Sequence, residues 1–482
     1  MDKDKKSGFG KFTQGYTFKV LLLMVLVLLL LVPLSMIRSL VDERGRTAAG
    51  AEAAIMEAWG KELIAAGPIV IIPGMRTEEV RTKTEKEGEK IEQVRTPFTL
   101  AISPQSLDIN AAFKTETRKR GIFSVPLFSG ILTFKGVFDP AMAITELLPN
   151  EQIFLNQAEL IISLSSQKGI RKINASTWND EELFFKPGNR GYSLFQYGYD
   201  SSFASSGFWR SGADESIGGI YASLSRFENR AAAFDVSIDI QGGRYLRFLP
   251  LGQDTHAAVA ADWGAPSFQG AYLPGESVIG DTDFSASWDV NYVSRDIPLF
   301  WKNYDEKRQY TGSLFGVDFF RAVNTYALNT RAVKYAVLFL IVPFLTLFLL
   351  EIFAKKRIHP VPYLLSGIGN AVFYLLLLSL SEQIPFYTAY LVAALAVTAM
   401  MTLYSRSLLP SWNKSWYMGL TVSISYILLY AVLNAESYAL LIGSTGTFVV
   451  VALIMFLTRR LDWFREAGDD LIEEEGRSGS GE

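Results

Sequence analysis

The sequence predicts a membrane protein in which a bundle of six transmembrane helices carries a large β-rich domain inserted between helices 1 and 2. Three observations predict this fold class. Long apolar runs lie near the two ends of the chain, and the roughly 300 residues between them carry short alternating patterns typical of β-strands. The basic residues of the short loops all favour a single orientation in the membrane.

Composition excludes several classes of function. The chain has no Cys, which rules out thiol catalysis, disulfides, iron–sulfur clusters and Cys-ligated zinc. It has only two His residues, about a hundred positions apart, so two-His metal motifs are absent. A formal net charge of -3 with no basic, aromatic-interleaved patch gives no reason to expect nucleic acid. We therefore expect no cofactor and no nucleic-acid partner.

The first predicted helix follows a basic N-terminal segment, residues 1–19, which carries five lysines. Residues 20–37 are almost entirely apolar, and as a helix they would span roughly 27 Å, enough to cross a bilayer. A cleaved signal peptide would need small residues just after this run, but Arg38, Asp42 and Glu43 follow it. We predict an uncleaved signal anchor.

Five further apolar runs predict transmembrane helices in the last third of the chain, at 335–353, 361–380, 386–404, 416–433 and 438–457. With residues 1–19 in the cytoplasm, the basic residues of the short loops also fall inside. The predicted topology determinants are Lys355, Lys356 and Arg357 after the second helix, and Arg459 and Arg460 after the last. The loops left outside, 381–385 and 434–437, contain no Lys or Arg. Both termini are therefore predicted to be cytoplasmic, including the acidic tail 459–482.

The same orientation places residues 38–334 outside the cytoplasm as a β-rich domain. After a helical stretch at residues 47–67, residues 131–138 place Leu132, Phe134 and Phe138 on one face of a strand. Residues 234–249 alternate on both sides of Gly242-Gly243 and predict a hairpin with a tight turn at those glycines. The charged stretch 76–95 is an exposed loop or an extended hairpin.

Several ordered stretches resemble one family. They include RGIFSVPLFSGILTFKGVFD (120–139), LRFLPLGQDT (246–255), ADWGAPSFQGAYLP (261–274) and FSASWDVNYVSRDIP (284–298). Their order and content, over nearly the whole chain, are similar to the CreD family of inner membrane proteins of Gram-negative bacteria. The resemblance implies a multi-pass inner membrane protein with a large periplasmic domain and a role in cell-envelope integrity or the envelope-stress response. It brings no catalytic residues with it.

Aromatic residues in the stretch 191–210 are the candidate partner-binding side chains of the external domain: Tyr197, Tyr199, Phe208 and Trp209. Interleaved with Gly and Ser, they could stack on a periplasmic glycan or lipid or contact an envelope protein. They could equally pack on the sheet of their own domain. The oligomeric state does not follow from the sequence.

Other polar residues of the external domain give no catalytic or metal site. No GxSxG elbow accompanies His256, and the spacing of Asp281, Asp283 and Asp289 matches no EF-hand loop. We expect a strand-end histidine and turn-forming aspartates.

Within the predicted spans, Glu351 lies near the cytoplasmic boundary, where it could pair with the adjacent basic residues. Asn370 is the only strongly polar side chain well inside a later span, and Pro343 is the only mid-span proline of the last five spans. The sequence thus favours a non-enzymatic protein in contact with the lipid bilayer, whose external domain binds or senses an envelope component. The alternative is a transporter or lipid-handling protein that uses the helix bundle.

Overall fold

The computed structural model describes residues 16–84, 88–188, 218–303, 311–319, 325–354, 358–408, 412–435 and 439–459. The chain divides into two compact units. The helical unit contains Met1–Ala48 and Val323–Glu482, and the β unit contains Ala49–Ala322.

The described helices are α1 (Tyr16–Trp59), α2 (Ala141–Thr145), α3 (Thr325–Ala354), α4 (Pro360–Ser381), α5 (Phe386–Leu408), α6 (Trp412–Asn434) and α7 (Ala439–Thr458). Among them, α1, α3, α4, α5 and α6 are long and apolar enough to cross a membrane. Helix formation there follows from composition, since a long apolar segment in lipid must satisfy its backbone hydrogen bonds internally. The predicted run 438–457 also forms a helix, α7.

Helices α3, α4, α5 and α6 form a closed ring, in which α3 packs on α4 and α6 while α5 packs on the same two helices. Helix α1 lies against α3 and α4 at Leu30, where a Cβ added to Gly367 of α4 would collide with Leu30 and with the Phe344 ring of α3. A glycine at this position therefore lets α1 approach the ring of helices closely.

The β unit contains β1 (Leu63–Thr84), β2 (Gly88–Ile102), β3 (Ser106–Arg120), β4 (Phe123–Phe138), β5 (Glu151–Ile153), β6 (Glu159–Leu164), β7 (Ile170–Ile173), β8 (Thr177–Trp178), β9 (Glu181–Glu182) and β10 (Lys186–Pro187). It continues with β11 (Gly218–Ser223), β12 (Ala232–Gly243), β13 (Tyr245–Phe248), β14 (Asp254–Ala261), β15 (Pro266–Gly270), β16 (Glu276–Ile279), β17 (Phe284–Asn291), β18 (Phe300–Lys302) and β19 (Phe315–Phe319).

These strands form two sheets. The first has the order β10-β11-β6-β1-β13-β19-β15, with β2 and β5 also pairing with β1, and β18 pairing with β2. The second has the order β16-β17-β14-β3-β4-β12-β8-β9, with β7 pairing with β12. The pairs β1–β13 and β3–β14 are parallel, and the other pairs of the described strands are antiparallel.

The two sheets pack face to face around one apolar core. Phe128 of the second sheet contacts Phe319 of the first, with ring centroids 4.9 Å apart, and Trp288 contacts Phe315 at 5.6 Å. The alternating strand patterns place these side chains inward and their neighbours outward. The predicted face of β4 is confirmed, since Leu132, Phe134 and Phe138 are all buried in this core.

The hairpin predicted at Gly242-Gly243 is wrong. Strand β12 belongs to the second sheet and β13 to the first, and the chain passes between them at Arg244, whose φ is 67°. Both glycines lie within β12, and a Cβ on Gly242 would come within 2.6 Å of the Phe128 ring. Glycine is needed at both positions because neighbouring side chains pack closely on the strand there. The hairpin prediction failed because alternation identifies a strand but not its partner. The charged stretch 76–95 does form an extended hairpin, in which β1 pairs with β2.

Candidate functional site

The predicted partner-binding aromatics, Tyr197, Tyr199, Phe208 and Trp209, lie outside the described residues, so their role stays a prediction. The same holds for the topology determinants Lys355, Lys356, Arg357 and Arg460. The fifth determinant, Arg459, directly follows α7, and its guanidinium lies over the Phe456 ring, 4.0 Å from the centroid.

A trough of about 530 Å³ lies on the outer face of the second sheet. Its floor consists of small side chains from three neighbouring strands: Ser285 and Ser287 of β17, Ala258 and Ala260 of β14, and Asn110 and Ala112 of β3. Strand register brings them together, because Ser285 pairs with Ala260 and Ala260 pairs with Ala112. The outward side chains of adjacent strands therefore form a continuous row across the sheet.

Larger side chains wall the trough on both sides. Val278 of the edge strand β16 is 70% exposed, and Ile131 of β4 is 49% exposed. The walls are four strand spacings apart, about 19 Å between backbones, which is wide enough for a helix or for an extended peptide. The floor offers hydroxyl and amide groups and the walls offer apolar contact. None of the described residues that line the trough is aromatic.

A row of charged side chains borders one end of the trough. His256 Nδ1 lies 2.7 Å from Asp289 Oδ1, and the register places Asp108 on the other side of the histidine. Lys135, which pairs with Asp108 in register, forms an ion pair with Asp235 at 2.9 Å. Three carboxylates face one lysine in this row, so this end of the trough is acidic. The His256 geometry is that of an exposed cross-strand pair.

Of the predicted turn aspartates, Asp289 is not in a turn, since it lies within β17 and bonds to His256, whereas Asp283 does lie in a turn. The Asp283 carbonyl accepts a hydrogen bond from Gly280 N–H at 2.8 Å, which closes a turn between β16 and β17. In the part of the chain that the structure describes, no group of three or more His, Asp or Glu side chains is placed to hold a metal ion.

A half-buried charge cluster lies at the first sheet. Arg247 forms an ion pair with Asp318 at 3.2 Å, and Arg244 lies 3.5 Å from Glu62. Burial raises the pKa of both the Glu62 and Asp318 carboxyl groups, and the nearby arginines only partly oppose this effect. Removal from water thus destabilises the charged forms of these two carboxyl groups, and the ion pairs with Arg244 and Arg247 offset only part of that effect.

Glu351 is buried within the helical unit and pairs with Lys19 of α1. Its second oxygen accepts a hydrogen bond from the Tyr363 hydroxyl at 2.7 Å, and Lys19 also donates to the Ile358 carbonyl at 2.9 Å. The sequence predicts a partner for Glu351 among the adjacent basic residues, and the structure provides Lys19 of the first helix. A signal for Lys19 was available, because it is the last charge before the first apolar run, just as Glu351 lies at the end of the second.

Asn370 and Pro343, which the sequence singled out separately, meet at one point of the ring of helices. Pro343 has no N–H, so it cannot donate to the carbonyl of Phe339 four residues earlier. The Asn370 side-chain amide donates to this carbonyl at 3.0 Å. Its oxygen accepts a hydrogen bond from the Tyr426 hydroxyl at 2.7 Å. A side chain of α4 thereby supplies the hydrogen bond that is missing in α3, and the Tyr426 hydroxyl of α6 orients that side chain.

The same network extends to α5. The Tyr390 hydroxyl donates to the Tyr426 carbonyl at 2.6 Å, and Phe373 stacks on Tyr426 with ring centroids 4.3 Å apart. All four helices of the ring therefore contribute to one buried polar and aromatic cluster. The sequence did not reveal this cluster, because single tyrosines in apolar runs look like interfacial anchors.

A second polar contact lies at the other end of α4. The buried Asn329 donates to Ser381 Oγ at 2.9 Å, and the Tyr326 hydroxyl donates to Glu382 at 3.2 Å. Asn329 precedes the predicted span 335–353 and was not singled out by the sequence, because α3 begins ten residues earlier than its apolar run.

Comparison with known proteins is consistent with these features. Residues 15–464 match the profile of the family described as "Inner membrane protein CreD". The inner membrane protein CreD of Escherichia coli (strain K12) is 27% identical over 440 residues, which cover 91% of each chain.

Among solved structures, an M1 zinc metallopeptidase from Deinococcus radiodurans aligns over 75% of this chain and 90% of its own at 8% identity. The TM-score of that alignment is 0.18, which is too low to indicate a common fold.

Proposed function

Since the chain belongs to the CreD family of inner membrane proteins, we propose that it acts in cell-envelope integrity or the envelope-stress response by binding an envelope component. It is a multi-pass membrane protein in contact with the lipid bilayer. We propose six spans, with α7 as the sixth, both termini in the cytoplasm and the β unit in the periplasm. The role we assign is binding rather than catalysis.

The loop charges support this orientation, and the absence of Cys makes it simple to test. A single cysteine introduced as Gln383→Cys is expected to react with a membrane-impermeant maleimide added to intact spheroplasts. Ser407→Cys is expected to react only after the membrane is permeabilised. The opposite labelling pattern would overturn the orientation.

The trough on the second sheet is the observation that supports a binding role. Its small floor side chains allow close approach of a backbone, and its polar and apolar lining is mixed, as in protein–protein interfaces. Glycan recognition would favour exposed aromatic faces, which the described lining lacks. The acidic row at one end favours a basic partner. We therefore propose that the partner is an envelope protein whose docking segment carries Lys or Arg beside apolar residues.

In-cell photo-crosslinking tests this proposal. A photoreactive amino acid at Ala260 or Ser285, on the trough floor, is expected to capture an envelope protein through a peptide that contains Lys or Arg. The control position is Met142, an exposed apolar residue of α2 that lies outside the trough. Charge reversal by Asp108→Lys with Asp289→Lys is expected to reduce the captured product. A glycan or lipid product, or capture that is unaffected by charge reversal, would contradict the proposed partner.

A further inference from the structure

One row of the side chains that α4 buries in the helical unit is mostly polar. Steps of three or four residues follow one face of a helix and lead through Tyr363, Ser366, Asn370, Tyr374, Leu377 and Ser381. All six side chains are buried, and five of them are polar. Buried polar groups in a membrane-spanning helix are costly, so a stripe that holds five of them calls for a functional explanation.

The ends of this stripe are carboxylates held by hydroxyl groups. At one end, Tyr363 donates to Glu351, and at the other end Glu382 accepts from Tyr326 one residue beyond Ser381. Between these ends, Asn370 is bonded to Tyr426, and Ser381 accepts from Asn329. The stripe thus lies between two carboxyl groups at opposite ends of α4.

Two hydroxyl groups of the stripe have no partner among the described residues. These are Ser366 Oγ and the Tyr374 hydroxyl, although their side chains are only 2% and 1% exposed. A packing role would be served as well by alanine and phenylalanine, which have no hydroxyl to desolvate. The unpaired hydroxyl groups therefore point to transient hydrogen bonds with a species that enters the stripe.

Leu377 is the single interruption. Steps from Tyr363 to Tyr374 rise about 4.5–6 Å each, whereas Tyr374 and Ser381 are about 10.5 Å apart along the axis. Leu377 is completely buried within that gap. An apolar side chain at this position separates the polar groups on the Glu351 side from those on the Glu382 side.

We propose that the stripe is a path for protons across the ring of helices, closed at Leu377. Each hydroxyl group can accept one proton and release another. At Asn370, whose amide cannot do both, the Tyr426 hydroxyl bonded to it takes that part, so the path needs no net change in any side chain. Opening the gap at Leu377 would connect Glu351 with Glu382.

The test uses the full chain in proteoliposomes that contain a trapped pH-sensitive dye. Leu377→Ser is expected to accelerate the decay of an imposed pH gradient at least tenfold over the wild-type chain. The matched control is Leu375→Ser, because Leu375 is 43% exposed on the outer surface of α4. Leu377→Ala, a milder change, is expected to give a smaller acceleration and serves if the serine variant does not fold. Decay at the wild-type rate in a folded Leu377 variant would overturn the proposal.

A second substitution tests the route. Tyr374→Phe in the Leu377→Ser background is expected to return the decay to near the wild-type rate. A purely structural tyrosine would change only the melting temperature and leave the leak as it was, which would overturn the route through the stripe. Equal leakage of Na⁺ or K⁺ in Leu377→Ser would show a general aqueous pore and would contradict a proton path.

Discussion

The side-chain amide of Asn370 bonds to the carbonyl oxygen of Phe339, the oxygen that Pro343 leaves without its helical donor. A residue of α4 thereby repairs a break in α3. The effect of replacing Asn370 on stability should therefore depend on whether residue 343 is proline, and a double-mutant cycle can measure this dependence.

We expect Asn370→Ala to destabilise the folded chain by about 1–3 kcal/mol, because the Phe339 carbonyl and the Tyr426 hydroxyl both lose a partner. In a Pro343→Ala background the new backbone N–H can bond to Phe339, so the cost of Asn370→Ala is expected to fall by about 0.5–1.5 kcal/mol. Unfolding of the four chains in one detergent measures this coupling. Strictly additive effects would show that Asn370 does not compensate for Pro343.

The ion pair between Lys19 and Glu351 predicts a different pattern. Lys19→Met alone leaves a buried carboxylate without its ammonium partner and is expected to cost about 3 kcal/mol. Lys19→Met with Glu351→Leu removes both charges and is expected to cost less than the single change. Lys135→Met, which breaks an exposed pair with Asp235, is the control and is expected to cost under about 1 kcal/mol. A double variant that is less stable than Lys19→Met would contradict this pattern.

Close packing between strands makes Gly130 of β4 sensitive to a single methyl group. A Cβ there would collide with the Ala112 carbonyl oxygen and lie 2.9 Å from Phe113 Cα, both in β3. Gly130→Ala is therefore expected to lower stability by about 1–3 kcal/mol. Gly275→Ala is the matched control, because nothing lies within 4 Å of its added Cβ. Thermal unfolding of the full-length chains measures both, and equal melting temperatures would contradict the collision.

The charge cluster of the first sheet predicts a pH dependence. Burial raises the pKa of the Glu62 and Asp318 carboxyl groups, so the folded chain binds protons more tightly there than the unfolded chain does. Between neutral pH and about pH 4, this contribution to stability rises as the pH falls.

The melting temperature of the wild-type chain is therefore expected to increase, relative to that of Glu62→Gln with Asp318→Asn, as the pH is lowered from about 7.5 to about 5. Glu228→Gln, which alters an exposed carboxylate, controls for the loss of a charge. A difference that stays constant or shrinks over this range would contradict the prediction.

Apolar length and alternation predict the elements of this fold but not their partners. An apolar run such as 361–380 has few alternatives to a membrane helix, and the alternation around Phe134 identifies the buried face of β4. The pairing of β12 could not be predicted, because its neighbours β4, β7 and β8 are set by packing between distant segments. Gly242 therefore looked like a turn residue.

The same limit applies to the candidate sites: the sequence indicates some of their residues but not the contacts between them. Asn370 and Pro343 are recognisable in the sequence because polar groups and prolines are rare inside spans. Their link through Phe339 depends on the packing of α3 against α4, which periodicity does not specify. The trough is harder still to predict, since alanine and serine carry no pattern until the register of β14 with its neighbours is known.

The order of the strands along the chain also determines when the first sheet can be completed during synthesis. The chain returns repeatedly from one sheet to the other, and β1, the early central strand of the first sheet, pairs with β13, which in turn pairs with β19. About 250 residues separate Leu63 from Phe319, a synthesis time of roughly 15–50 s at ribosomal rates. During that interval β1 can already pair with β2, β5 and β6, but β13 lacks its neighbour β19 until the end, while α1, made first, is ready to enter the membrane. Completion of the sandwich therefore coincides with the synthesis of α3, so that the last strand of the β unit becomes available just before the next membrane helix.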